Sequence, residues 1–359
     1  MISRFFNGAS PFGLFMLLAF AAAYFAFRSE YKRKEAEGLI GPFMRRVRSL
    51  PPVLGLALGF VVGAKLVYLV LWWGHHYWGA HRGVYIGTLQ DMVFSLRGNW
   101  VGGAVGGLAG WWLTRRHWQA PQERLIHPFE LMDPLLLYCG IFGFAGAIGF
   151  AFFENPQHIG INGLNYYGAL IAGTLVFLHI NRRYGIRPRV ALDLGSPGMM
   201  LAYAVGRMGC ELAGDGDWGI VNENLRPAWL EWLPDWAWAW RYPHNSIHQG
   251  IYIPGCSGAY CTELPAPVYP TPLYESVICM MLFFLLWAIR RRVRRPGVLF
   301  AVFALLNGVE RFLIEFIRIT PRYTIGGWKV SQAQILALCW VGAGVVAAVY
   351  SRRAYPVFD

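Results

Sequence analysis

Apolar residues do not alternate with polar ones along this chain. They run in blocks, and the polar positions gather between the blocks. About nine blocks stand out, at 11–27, 53–73, 100–113, 134–153, 167–180, 190–208, 273–289, 298–317 and 333–350. Most approach the roughly 20 residues a helix needs to cross a hydrocarbon core of about 30 Å, although the third and fifth are short. A backbone in lipid must satisfy its own hydrogen bonds, so each block is predicted as a helix. The expected fold is all-α: a polytopic transmembrane bundle of about nine spans, forming a single membrane domain over 1–359. The connection at 213–270 is long enough for a small external head.

Polar positions then orient the bundle. Lys and Arg gather in alternate connections, at 28–48, 115–124, 182–189, 290–295 and after Arg352. The positive-inside rule makes these cytoplasmic, which puts the N-terminus outside and the C-terminus inside, as an odd number of spans requires. Arg4 ahead of the first block could mark a signal peptide. No small-residue cleavage site precedes Lys32-Arg33-Lys34, so a retained span is expected.

Composition agrees. The chain is 56% hydrophobic and 14% charged, against about a quarter charged in a soluble domain, so an integral membrane protein is expected. A net charge of +12 would fit nucleic acid, but the charges lie in separate connections rather than on one basic face, and topology explains them better. Cys139, Cys279 and Cys339 lie in apolar blocks and read as small buried hydrophobes. Cys256 and Cys261 lie in the external connection, where an oxidising compartment could bridge them or leave them as thiols.

Trp229, Trp232, Trp236 and Trp240 are spaced by three and four, which on a helix gives one aromatic stripe, with a kink at Pro234. An interfacial anchor at headgroup level is expected. An internal repeat is also visible. Gly59-Phe60 with Gly63-Ala64 resembles Gly143-Phe144 with Gly146-Ala147, and Asn99-Trp100-Val101-Gly102-Gly103 resembles Asn165-Tyr166-Tyr167-Gly168-Ala169. Either a helix pair was duplicated, at 51–120, or small residues simply recur where helices pack closely.

Chemistry concentrates in two motifs at block ends. One is Gly206-Arg207-Met208-Gly209-Cys210-Glu211, followed by Gly214-Asp215-Gly216-Asp217-Trp218-Gly219; the other is Glu310-Arg311-Phe312-Leu313-Ile314-Glu315-Phe316-Ile317-Arg318. Both reach the outer leaflet under the predicted topology. Arg311, Glu315 and Arg318 follow i, i+4, i+7 and would share one helix face. Arginine at membrane depth is costly and usually kept for a partner, a ligand or a wet cavity. Its fork matches phosphate oxygens, so two converging arginines suit an anionic phospholipid headgroup, with Glu315 and Asp215 orienting the forks. Structural ion pairing is the alternative, and for Glu211 and Glu310 the two readings stand equal.

These residues resemble the prolipoprotein diacylglyceryl transferases of the bacterial inner membrane. Gly206-Arg207-Met208-Gly209 with Gly214-Asp215 and Trp218-Gly219 is similar to the family signature Gly-Arg-x-Gly-Asn with a following Asn-Gly-Glu. Pro272-Leu273-Tyr274-Glu275 is similar to its Leu-Tyr-Glu motif. Gly308 with Arg311-Phe312, Glu315-Phe316 and Arg318 matches its penultimate helix. Ser331-Gln332-Ala333-Gln334 and Phe12-Gly13-Leu14 resemble the starts of its last and first helices.

The resemblance implies transfer of the sn-1,2-diacylglyceryl group of phosphatidylglycerol to the lipobox cysteine thiol of a preprolipoprotein, with release of glycerol-1-phosphate and no cofactor or metal. Arg207, Arg311, Tyr167, Asp215 and Glu315 are the implied catalytic residues. Arg318, Gly206, Gly214, Gly219, Tyr274, Glu275, Gly168 and His244 are the implied substrate-binding ones. The implied partners are phosphatidylglycerol, the signal peptide and membrane lipid, with the site facing the periplasmic leaflet.

Three positions depart from the family. Tyr167-Gly168-Ala169-Leu170 stands where relatives have His-Gly-Gly-Leu, and tyrosine ordinarily ionises near pH ~10, too high for a base at neutral pH. Cys210 replaces the signature asparagine and Asp215 its acid. An extra helix pair would raise the usual seven spans to nine. A transporter or flippase of an anionic lipid-linked substrate, and a silent relative that binds lipid or lipoprotein, remain as rivals. A transport path would need ionisable groups in the inner halves of the sixth and eighth blocks, where only Asp193 and Asn307 break the apolar run.

Overall fold

The computed structural model describes residues 12–47, 52–80, 99–116, 122–154, 166–256, 260–325 and 327–354. They contain nine α-helices: α1 (Phe12–Ala36), α2 (Pro52–Ala80), α3 (Trp100–Arg116), α4 (Met132–Glu154), α5 (Tyr166–Arg183), α6 (Pro188–Ala213), α7 (Thr271–Ile289), α8 (Val298–Ile314) and α9 (Gln332–Ala354). Each predicted apolar block falls on one of them. Four helices among the described residues are long and apolar enough to cross a membrane: Phe12–Ala36, Pro128–Phe150, Thr271–Ile289 and Gln332–Ser351. Leu17, Phe25, Leu137, Phe284 and Val346 are exposed on them, whereas Glu30, Asp193, Glu275 and Glu315 are buried. That inversion of the soluble pattern marks a helical membrane protein.

The chain forms two compact units, Pro42–Ile126 and the remainder. In the smaller unit α2 and α3 pack along a glycine seam. A Cβ on Gly59 would stand 2.1 Å from the Gly106 carbonyl oxygen, and one on Gly63 2.3 Å from that of Gly102. No side chain fits there, and van der Waals contact between bare backbones replaces side-chain packing. Strands β1 (Phe43–Val47) and β2 (Gln122–Ile126) pair antiparallel, with Phe43 opposite Ile126.

In the larger unit α4 and α5 make a similar close contact, where a Cβ on Gly146 would come 2.5 Å from the Gly168 carbonyl oxygen. Helix α6 packs against α1, α7 and α8. On the α1 side, Gly198 leaves room for the Phe27 ring, which an added Cβ would approach to 2.4 Å. Opposite, Met200 and Ala204 meet Cys279, Phe283 and Leu286 of α7 and Leu299 and Phe303 of α8 in a closed apolar core. Helix α9 closes on α8 through Gly308 and Gly344. It begins with a reciprocal cap: Ser331 Oγ accepts from the Gln334 N–H at 3.1 Å, and Gln334 Oε1 accepts from the Ser331 N–H at 3.0 Å.

The connection between α6 and α7 encloses its own small core of Trp218, Tyr242, Leu264 and Val268. Its strands β3 (Ile251–Tyr252) and β4 (Thr262–Glu263) pair antiparallel, and Cys256 is bonded to Cys261. The run Pro254-Gly255-Cys256-Ser257-Gly258 reads as a turn from its sequence; its Ser257 and Gly258 lie outside the described residues. The four tryptophans do not form a helical stripe. Pro227 and Pro234 instead start separate 3-10 turns at Ala228–Leu230 and Asp235–Ala237, and Trp240 joins a bridge to Val268. The eighth block also differs: its helix stops at Ile314 and the chain from Glu315 turns outward.

At the opposite end, Asp193 of α6 caps α8 from outside. Its carboxylate accepts the N–H groups of Gly297 at 2.7 Å and Phe300 at 2.8 Å, donors that a helix start leaves unpaired. Gly297 holds a positive φ of 91° there, which few other residues tolerate. Replacing Asp193 with Ala is expected to cost about 2 kcal/mol, read as a lower unfolding temperature in detergent, while Asp193→Asn keeps an acceptor and loses less.

Candidate functional site

Three helix ends converge beneath the α6–α7 connection: the last turn of α6, the first turns of α7 and the last turn of α8. Their meeting point is Glu275, fully buried on α7. Arg207 Nε lies 3.0 Å from one carboxylate oxygen of Glu275, and Arg311 Nη1 lies 2.5 Å from the other. Arg318 Nη1 also reaches the second oxygen, at 3.3 Å, and the Tyr203 hydroxyl donates to it at 3.2 Å. The Arg207 guanidinium lies over the Tyr203 ring, 5.1 Å from its centre.

Two further acids complete the cluster. Asp217 accepts from both Arg207 and Arg318, and Glu315 pairs with Arg311 at 3.3 Å. Burial alone would push the Asp217 carboxyl up, but the Arg207 and Arg318 guanidiniums outweigh it and hold Asp217 below the usual carboxylate range. Burial and the neighbouring Asp217 charge push Asp215 the other way. Cys210, Asp215 and Asp217 bring ligand atoms within 4.8 Å of one another, a spacing a metal could bridge, but Asp217 already serves two guanidiniums.

Arg318 reaches the cluster by a route the sequence did not predict. It lies beyond the end of α8, so it shares no helix face with Arg311. A bridge to Gly219 brings it back, with the Ile220 N–H donating to the Ile317 carbonyl at 2.8 Å. Gly219 must be glycine for this approach, since a Cβ would stand 2.5 Å from the Ile317 oxygen. Gly214 caps α6 with a positive φ of 60°, turning the chain so that Asp217 faces the arginines. Gly206 faces open space.

Exposure separates the arginines. Arg207 and Arg311 keep 15% and 19% of their side-chain surface accessible, whereas Arg318 keeps 6%. The first two can still meet a ligand; the third is locked between Asp217 and Glu275.

Other predicted residues lie apart or play different parts. Asp217, rather than Asp215, pairs with the arginines. His244 bonds the Tyr260 carbonyl at 2.7 Å, beside the Cys256–Cys261 disulfide. The Tyr274 hydroxyl donates to the Ala237 carbonyl at 3.0 Å, tying α7 to the connection above it. Gly168 belongs to the α4–α5 contact, and the Tyr167 side chain and Asn165 lie outside what the structure describes. Tyr203 was overlooked, though it sits one turn before Arg207, at i−4 on the same face of α6. Replacing Glu275 with Ala is expected to leave three crowded guanidiniums in mutual repulsion and to cost about 3–5 kcal/mol in an unfolding experiment. The half-exposed Asp217 should cost less.

Comparison with known proteins points in the same direction as this geometry. A family model described as prolipoprotein diacylglyceryl transferase matches residues 99–350. Similar proteins include the phosphatidylglycerol–prolipoprotein diacylglyceryl transferase of Streptococcus sanguinis (strain SK36), 33% identical over 196 residues, or 54% of this chain and 64% of that protein. The proteins of the same name from Rhodospirillum rubrum and Xylella fastidiosa are 28% and 26% identical, over 70% and 76% of this chain and 87% and 95% of theirs. The matched stretch holds α3 to α8 and most of α9, and with them every member of the arginine cluster, so the chain belongs to the prolipoprotein diacylglyceryl transferase family.

Proposed function

We propose that this chain transfers the sn-1,2-diacylglyceryl group of phosphatidylglycerol to the lipobox cysteine thiol of a preprolipoprotein and releases glycerol-1-phosphate. The observation that carries this reading is the arginine cluster at the end of three apolar helices, with Arg207 and Arg311 still accessible. A guanidinium stays charged at any physiological pH and offers paired N–H donors to phosphate oxygens. Glu275, Asp217 and Glu315 hold the forks in place before substrate arrives, so little reorganisation accompanies the build-up of charge on the leaving phosphate. The nucleophile belongs to the incoming peptide, and the protein supplies orientation and charge.

Topology supports an outward-facing site in the bacterial inner membrane, with nine spans, the N-terminus outside and the 213–270 connection as a periplasmic head. The two glycine-packed hairpins support a duplication. The Gly63–Gly102 contact of one and the Gly146–Gly168 contact of the other both fall on glycines of the similar motifs in the sequence repeat. A transport path is not favoured, because Asp193, the acid of the inner half of α6, serves as the cap of α8.

Purified protein in phosphatidylglycerol micelles is expected to release glycerol phosphate when a lipobox peptide is added. Absence of release from a well-folded sample would count against transfer. Arg311→Ala removes an accessible fork and should lower turnover by about 10²–10³-fold. Full complementation of a transferase-deficient cell by that variant would overturn the phosphate role.

A further inference from the structure

Glu310 precedes Arg311 on α8 but takes no part in the cluster of ion pairs. Successive residues on a helix point about 100° apart, so Arg311 turns to Glu275 while Glu310 sits beside Cys279, one turn further along α7. Glu310 is buried, with 6% of its surface accessible. It makes no ion pair among the described residues, neither carboxylate oxygen meets a nitrogen or oxygen donor there, and the Cys279 thiol beside it is only a weak donor.

What it faces is a groove between α7 and α8 of about 570 Å³. The wall is aliphatic, including Ile278, Leu282, Leu306, Leu313 and Ile317, and Glu310 is its one charged member. The groove begins at Tyr274 beneath the α6–α7 connection and runs about two turns, or ~12 Å, along α7 to Leu282. Glu310 also lies within the electrostatic reach of the Glu275 carboxylate and of the Arg311 and Arg207 guanidiniums. A buried carboxylate with no donor stronger than a thiol is costly, and its retention calls for a proton or cation that arrives with a ligand.

We propose that Glu310 is the proton acceptor for the attacking thiol, and that the groove receives the apolar residues flanking the client cysteine. This rests on the transferase reading. A phosphate would be repelled by Glu310 and belongs with the arginines, whereas a neutral thiol on an apolar peptide suits an aliphatic wall with one base. In the step, the S–H proton moves to a Glu310 carboxylate oxygen. The sulfur then attacks the glyceryl carbon esterified to phosphate. The C–S bond forms as the C–O bond breaks, and the electron pair leaves with glycerol phosphate. The proton passes from Glu310 to that phosphate or to water, which restores the carboxylate. The assignment accounts for how the chain works with Tyr167 where relatives carry histidine.

The test is Glu310→Gln in the full-length protein, followed by release of glycerol phosphate from phosphatidylglycerol with a lipobox peptide between about pH 6 and about pH 10. Glutamine preserves shape and should leave the unfolding temperature and the KM for phosphatidylglycerol unchanged. The expected kcat at neutral pH is lower by about 100-fold. The deficit should shrink above about pH 8.5, where a thiol ionises without help. Parent-like kcat in Glu310→Gln, or a loss equal at every pH, would overturn the assignment. Leu306→Trp, which fills the groove, should raise the KM for the peptide alone; a raised KM for phosphatidylglycerol instead would make the groove an acyl-chain site and also overturn it. Failure of the parent protein to release glycerol phosphate would remove the transferase reading and this proposal with it.

Discussion

A fully buried carboxylate holding three guanidiniums is the constraint on which the site depends. Glu275 could not stay ionised away from water alone, and Arg207, Arg311 and Arg318 could not crowd together without it. Arg207 comes from α6, Glu275 from the start of α7, Arg311 from the end of α8 and Arg318 from the segment after it, so the cluster ties these parts into one arrangement. Asp217 and Glu315 balance the remaining charge. The cluster is therefore a structural joint, and the accessibility of Arg207 and Arg311 is what leaves them free for the phosphate role proposed above.

Within each of the two units the helices are held by a different kind of contact. Lipid is as apolar as leucine, so burying leucine gains little between membrane helices. Close approach does more. Gly59 against Gly106, Gly146 against Gly168, and Gly308 against Ala337 each bring backbone within reach of backbone. The small-residue pattern that first read as a repeat is thus also the packing code of both hairpins. Polar groups serve at the ends, where Asp193 caps α8 and Ser331 with Gln334 caps α9.

Much of this was legible in the chain. Each of the nine apolar blocks falls on a helix among the described residues, because a helix is the structure that satisfies an isolated backbone in lipid. The arginine motifs were conspicuous because charge is rare in such segments. Spacing misled where the helix assumption failed. Trp229 and Trp236 lie on two separate proline-started turns, Trp240 lies in a bridge to Val268, and Arg318 lies past the end of α8. Asp215 and Asp217 stand two residues apart, and only the turn at Gly214 and the bridge at Gly219 select Asp217 for the arginines.

By itself the sequence determined the local and the periodic: which segments are helical, where charge is costly, which glycines allow close packing, and the family likeness of the motifs. Those properties depend on neighbours within a few turns. Tertiary structure alone decided the partners. It made Glu275 the hub, Asp193 a cap and Glu310 a carboxylate facing an apolar groove, because each outcome depends on groups from distant segments meeting at one point. Charges meet as a set, and no single segment carries enough of that set to announce the pairing.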